Sequence, residues 1–457
     1  MTRTPALPEP SDDTIDRTAD LLSRAHRVLA YGGLDGMAHR ALRHDDGTLY
    51  PHFAVAAQGY EVTDSTGRVH IDWLNGWGPV FLGYRHPAVE EAVHRQFAAG
   101  PTLSLMHPLE VEVAERLCEM VPCAERVAFG KNGSDSVNAA VRVARAATGR
   151  DVVLQHGFHG FHEWYTCVHD GVAGIPSVYR SLVDPFPYND IDALRERFAH
   201  HRGRVAAVVM EPTNQYLPDP GYLQAVVDLA HEQGALVVFD EIVTAFRLAN
   251  GGAQEHFGVV PDLACLGKGL ANGLPLSALV GRARYMDLVP TVGYGMTFRG
   301  ETFSLAAAAA VLDVLDAEDV PGHLATMGTR LRDGYLASAE RHGLRAVLLG
   351  PPARMSFDFD AQLGAPYGEP RRLFLEQALV HGVLTDGNAL ASYAHTEASV
   401  DETLERLDAA LLAVREALGA TRVGTSRRWF GLRTAPPRIG GTPSTEPTHK
   451  ADPPSTL

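Results

Sequence analysis

The sequence is poor in lysine. Only Lys131, Lys268 and Lys450 occur, so 37 of its 40 basic residues are arginine. Arginine stays protonated in proteins, whereas a desolvated lysine can release its proton and attack a carbonyl as an amine. Amine chemistry is thereby confined to three positions. Cysteine is equally scarce: Cys118, Cys123, Cys167 and Cys265 are too few for a disulfide scaffold in 457 residues. They show neither zinc-ribbon nor thioredoxin spacing and read as buried or half-buried thiols. No uninterrupted apolar run reaches the roughly 18 residues of a membrane span. The opening MTRTPALPEPSDD also lacks the basic-then-apolar pattern of a secretion signal, so a soluble, cytoplasmic protein away from membranes is expected. Basic surplus is missing too: 55 acidic residues give a formal net charge of −15. That balance opposes the positive field that binding a nucleic-acid backbone requires.

What is present is a 45% apolar composition and a regular grammar. At roughly 150 residues per domain the length allows about three domains or one large composite. Residues 58–73 alternate apolar and polar side chains around a Ser-Thr-Gly turn, as in a hairpin. Helical periodicity follows at 88–99, 108–121, 136–147 and 222–233, with short apolar runs at 152–154, 205–210, 235–239, 263–266 and 276–280. Such alternation predicts a largely parallel sheet covered by helices. An Ala-rich helix spans 304–316, and the region 318–418 mixes helices and short strands. The expected organisation is an N-terminal segment with the hairpin (1–75), a large domain (76–317), a small C-terminal domain (318–420) and a tail (421–457). The tail has no apolar periodicity and six prolines, and is expected to be mostly disordered. Its Arg422, Arg427, Arg428, Arg433 and Arg438, with Trp429 and Phe430, leave contact with an anionic partner or a neighbouring subunit open.

Lys268 lies in PDLACLGKGLANG, directly after an apolar strand and between two glycines that allow a sharp turn. Asp240 ends the run ALVVFD. In an open parallel sheet the carboxyl ends of strands line the ligand crevice, so these two side chains can face each other. A lysine with a partnered acid is what pyridoxal phosphate chemistry needs: the lysine holds the aldehyde and the acid keeps the pyridine nitrogen protonated. Gly133 and Ser134 open a helix, where backbone and hydroxyl donors at the positive end suit a phosphate. Taken alone, each feature has an ordinary structural counterpart: Gly-Ser is also a common N-cap, Asp240 a strand-end cap, and Lys268 a surface lysine.

In order, GSDSVNAAVRVAR, GFHG, VVMEP, FDEIVTAF, LGKGLANG and TFRGETFSLAAA resemble the class III aminotransferases of pyridoxal phosphate fold type I. The resemblance runs from about Gly59 to Leu418. The segments NGWGPVFLGYRHP and SYAHTEASVDETLERL are most similar to the glutamate-1-semialdehyde aminomutase branch. It implies an α/β fold with a mostly parallel seven-stranded sheet in the large, cofactor-binding domain and a small α+β domain built from both termini. The cofactor implied is pyridoxal 5'-phosphate, alternating with pyridoxamine 5'-phosphate. Lys268 is then the cofactor lysine and proton shuttle, Asp240 the partner of the ring nitrogen, and Gly133 and Ser134 the phosphate donors. Phe158, where the family has Tyr, would stack on the ring with His159 beside it; Ile242 would press on the other face. Glu211 would lie near Asp240. Thr297 would reach the phosphate of the neighbouring subunit, which implies a homodimer with shared active sites. Trp77 would line the substrate side, or equally pack the hairpin against the large domain.

Two positions depart from the aminomutase pattern. His39, followed by Arg40, stands where that branch has a carboxylate-binding arginine, and Gly387 stands where it has a glutamate. The expectation is therefore plain amino transfer from a donor amino acid to an aldehyde or ketone, such as an amino-sugar or other specialised-metabolite intermediate. An aminomutase, a pyridoxal phosphate epimerase and a non-catalytic cofactor-binding regulator are the alternatives.

Overall fold

The computed structural model describes residues 12–30, 53–360 and 368–418. The tail 421–457, with its expected disorder, and His39 and Arg40 lie outside these residues.

Seven strands form the central sheet: β4 (Arg126–Gly130), β5 (Val152–His156), β6 (Val183–Pro185), β7 (Val205–Met210), β8 (Leu236–Asp240), β9 (Leu263–Leu266) and β10 (Ser277–Gly281). Their order is β4-β10-β9-β8-β7-β5-β6. Only β10 runs against its neighbours, β4 and β9, which leaves six strands parallel. In β7, β8 and β9 every residue is buried, which is why these strands read as unbroken apolar runs: helices cover both faces. Alternation still sorts the side chains. Val238 and Cys265 pack with Val137, Val141 and Ala144 of the helix Gly133–Thr148. Val237 and Phe239 point the other way, towards Leu223, Val226 and Ala230 of the helix Tyr222–Glu232. The Ala-rich helix, Thr302–Ala317, packs against the helices Pro87–Phe97 and Pro108–Met120.

The hairpin pairs β2 (Glu61–Asp64) with β3 (Val69–Asp72), and β1 (Ala54–Gln58) extends it on one side. On the other side a C-terminal strand, β13 (Val383–Leu384), adds to β3 in parallel. A third sheet, β11 (Ala346–Leu349), β12 (Arg354–Phe359) and β14 (Asn388–Leu390), is antiparallel. One boundary differs usefully from the periodicity. The helix expected from 136 begins at Gly133, because the Asp135 carboxylate accepts both the backbone N–H (3.0 Å) and the side-chain amide (3.1 Å) of Asn132. Gly133 and Ser134 therefore belong to its first turn.

Candidate active site

Four chain segments leave the carboxyl ends of adjacent parallel strands and carry the expected residues to one cleft. Asp240 is the last residue of β8 and is buried. Its Oδ2 lies 2.7 Å from His159 Nδ1, while His159 Nε2 lies 3.0 Å from the His156 carbonyl. A carbonyl only accepts, so Nε2 carries a hydrogen and the pair shares the proton at the Asp240 contact. His159 is buried as well, so the imidazole holds the carboxylate in one orientation. The adjacent Glu241 turns away: its carboxylate, pushed up by burial and drawn back by hydrogen bonds, anchors Ala253, Gln254 and Thr244.

Glu211 follows β7. Its Oε1 pairs with Arg354 Nη2 at 3.0 Å, and its Oε2 accepts from the Phe158 N–H at 3.2 Å. Burial opposes ionisation of Glu211, but Arg354, His159 and the Phe158 N–H overcome it and hold the carboxyl below its ordinary value. Phe158 itself is no core aromatic: 64% of it is exposed, edge-on to Tyr165. Gly160 follows at φ 90°, and a Cβ there would meet Ser134 Oγ at 1.9 Å, so this loop closes onto the helix start only with glycine.

Lys268 follows β9 with φ 40°, a left-handed conformation that costs a non-glycine residue roughly 1–2 kcal/mol. The turn is held by Asn272, whose side chain accepts from Leu82 N–H (2.9 Å) and donates to the Gly83 carbonyl (3.0 Å). Among the described residues Lys268 Nζ makes no hydrogen bond or ion pair. Burial, then the Arg354 guanidinium, push its pKa down to about 8, against the pull of Glu211 and Asp240. Ile242 donates its N–H to Asp240 Oδ1 (3.2 Å), and its side chain sits against both Gly133 and Gly267. The N–H groups of Gly133 and Ser134, and the Ser134 hydroxyl, find no partner among the described residues. Open donors at the positive end of a 16-residue helix fit a phosphate, and an unpaired amine beside a carboxylate fits the aldehyde and ring nitrogen of the implied cofactor.

Trp77 is half-buried with its indole N–H 3.2 Å from Asp386 Oδ2. The next residue, Gly78, packs against the Lys268 side chain. Thr297 is different: it is exposed on the segment leading to the Ala-rich helix, and no hydrogen bond joins it to this cluster among the described residues. Two arginines complete the cleft without having been read from the sequence. Arg354 begins β12. Arg247, fully buried, donates only to carbonyls, those of Gly78 (3.0 Å), Ala353 (3.2 Å) and Ala391 (2.8 Å), and burial pushes it down to about 9. Their only sequence signal was being charged in otherwise apolar runs.

Residues 43–411 match the family model of the class-III aminotransferases. A 3-aminobutyryl-CoA aminotransferase of Cloacimonas acidaminovorans is 31% identical over 81% of this chain and 91% of its own length. A glutamate-1-semialdehyde 2,1-aminomutase of Halobacterium salinarum is 33% identical over 88% of this chain and 99% of its own. The structure of the pyridoxal phosphate internal aldimine form of the FumI protein of Sphingopyxis sp. MTA144 superposes with a TM-score of 0.82 at 31% identity, covering 89% of this chain and 99% of that one. No helix among the described residues is long and apolar enough to cross a membrane.

Proposed function

Because the chain belongs to the class-III aminotransferase family, whose members use pyridoxal phosphate, we propose that it transfers an amino group from a donor amino acid to an aldehyde or ketone. The observation that carries this reading is Lys268: an unpaired amine in one cleft with Asp240 and the open donors of Gly133 and Ser134. When bound, pyridoxal phosphate supplies an aldehyde that condenses with amines and a protonated ring that draws electrons from the substrate carbon. Asp240, oriented by His159, would hold the proton on the ring nitrogen, and Lys268 Nζ is the group that would carry a proton to and from the substrate carbon. Gly133 and Ser134 would hold the phosphate and Phe158 and Ile242 would flank the ring, while Glu211 stays fixed by Arg354.

One observation supports amino transfer over the aminomutase reading that the Halobacterium relative keeps open. Gly387 has φ 108°, a conformation that strains any L side chain, and the Arg371 guanidinium occupies the space a Cβ would enter, so the branch's glutamate would be strained there. The acceptor proposed is an aldehyde or ketone such as an amino-sugar or other specialised-metabolite intermediate. The test is an absorbance titration of the purified protein with a panel of amino donors. A visible cofactor band that converts to the pyridoxamine phosphate spectrum with one donor supports transfer. Isomerised product formed with no donor would establish the aminomutase instead, and a protein that takes up no cofactor would overturn both.

A homodimer with shared sites belongs to this proposal. Leu103, Leu105, Met106 and Phe298 are exposed, on two segments, one of them carrying Thr297, tied together by Thr302, which donates its N–H to the Pro101 carbonyl and its hydroxyl to that of Gly100. An apolar patch of this kind marks an interface; full activity in a sedimenting monomer contradicts it.

The pKa of Lys268 sets a pH dependence. Only the neutral amine attacks an aldehyde, so uptake of pyridoxal phosphate by the apoprotein is expected to accelerate as pH rises through about 8 and level off above it. Arg354→Met removes a repelling cation, so the midpoint moves upward. It also strands the buried Glu211 carboxylate, at a cost of about 3 kcal/mol in stability. Stopped-flow uptake from pH 6.5 to 9.5 and thermal unfolding read the two effects; an unmoved or lowered midpoint contradicts the assignment.

A further inference from the structure

Lys131, the first of the three lysines, has no free hydrogen for amine chemistry. Its Nζ donates to the Pro275 carbonyl (3.0 Å), to Glu301 Oε2 (2.9 Å) and to Ser304 Oγ (3.4 Å). Three donors meet three acceptors. The ion pair is largely enclosed, with side chains 13% and 15% exposed. Burial opposes the charge on Glu301, but Ser304, Lys131 and the Phe303 N–H hold its carboxyl below the ordinary value. Enclosed ion pairs seldom add stability over an apolar pair of similar volume, so what this one supplies is geometry.

That geometry joins three separate stretches of backbone. Lys131 stands between β4, whose Gly130 pairs with Ser277 of β10, and Asn132, the cap of the helix whose first turn is Gly133 and Ser134. Pro275 lies just before β10. Glu301 caps the Ala-rich helix, accepting from Phe303 N–H (2.6 Å), Ser304 N–H (3.2 Å) and Ser304 Oγ (2.6 Å). The segment 297–300, exposed over residues 297–299, runs directly into Glu301. One ammonium group therefore fixes the anion-binding turn relative to the segment that carries Thr297.

We propose that the Lys131–Glu301 pair is a brace for the cofactor's phosphate subsite. It acts by position alone, tying the Gly133–Ser134 turn, which would hold this subunit's phosphate, to the 297–300 segment, whose Thr297 would serve the phosphate of the neighbouring subunit. The proposal rests on the aminotransferase reading for the identity of the phosphate. Its signature is a weakened grip on the phosphate end of the cofactor, separate from the chemistry at the aldehyde end.

The test compares wild type, Lys131→Met, Glu301→Gln, the double variant and Lys131→Arg as apoproteins. Each is titrated with pyridoxal phosphate and with pyridoxal, which lacks the phosphate, following the visible absorbance. Glu301→Gln retains an acceptor for the helix cap, so folding survives. The dissociation constant for pyridoxal phosphate is expected to rise at least tenfold in each single variant and no further in the double. That for pyridoxal stays within twofold, kcat at saturating cofactor stays within threefold, and Lys131→Arg recovers part of the loss. Equal weakening of both ligands, no weakening of either, or additive losses in the double variant overturns the brace. A wild type that binds no pyridoxal phosphate defeats the aminotransferase reading itself; a wild type that binds it, with variants that bind it equally well, defeats the brace alone.

Discussion

Lys268→Ala is expected to abolish multiple-turnover transamination, by at least about a thousand-fold. General acid–base transfer by a positioned side chain contributes about 10²- to 10⁴-fold, and among the described residues no second amine is available to replace it: Lys131 is fully engaged. Cofactor uptake should persist, because the first-turn donors at Gly133 and Ser134 are untouched, but the visible band should shift and no longer respond to pH near 8. Steady-state assay with a donor that converts the wild-type spectrum reads the loss. Turnover within tenfold of wild type would remove Lys268 from the mechanism.

The second large effect is expected at Asp240. Asp240→Asn keeps the shape and the contact with the Ile242 N–H but removes the charge proposed to keep the ring nitrogen protonated. It also leaves His159, enclosed between Asp240 and the His156 carbonyl, without an anion. Loss of one preorganised electrostatic contact of this kind costs about 10²- to 10³-fold, so kcat should fall at least about a hundred-fold while the pyridoxal phosphate dissociation constant changes little. The contrast with Lys131→Met, where affinity falls and kcat holds, separates the ring-nitrogen end of the site from the phosphate end. A kcat within threefold of wild type would show that ring protonation does not limit the rate.

Much of this site was legible because it is built from strand ends. β7, β8 and β9 announce themselves as enclosed apolar runs, and the polar residues that end or follow them are Glu211, Asp240 and Lys268. The helix start was legible as a Gly-Ser pair, although its first residue fell three positions earlier than periodicity placed it, since capping by Asp135 is not a periodic signal. β4 and β6 were not readable as runs: β4 begins with an exposed arginine, and β6 is three residues long and ends in proline. Arg354 was hidden for a different reason. Its partner Glu211 lies far away in sequence, and nothing local to Pro-Pro-Ala-Arg signals that the guanidinium will cross to another sheet. Arg247 shows the same limit, since its meaning comes from three carbonyls contributed by three distant segments.

The parallel pairing of β13 with β3 has a consequence in time. Arg68, in the turn before β3, donates to the carbonyl of Val380 across 312 residues of chain, and β13 follows within a few residues. At synthesis rates of about 5–20 residues per second, the hairpin leaves the ribosome roughly 15–60 s before the strand that completes its sheet. Until then β3 offers an open edge to any other strand in reach. Folding yield should therefore depend on what shields that edge during synthesis, long before any cofactor or partner subunit has a site to occupy.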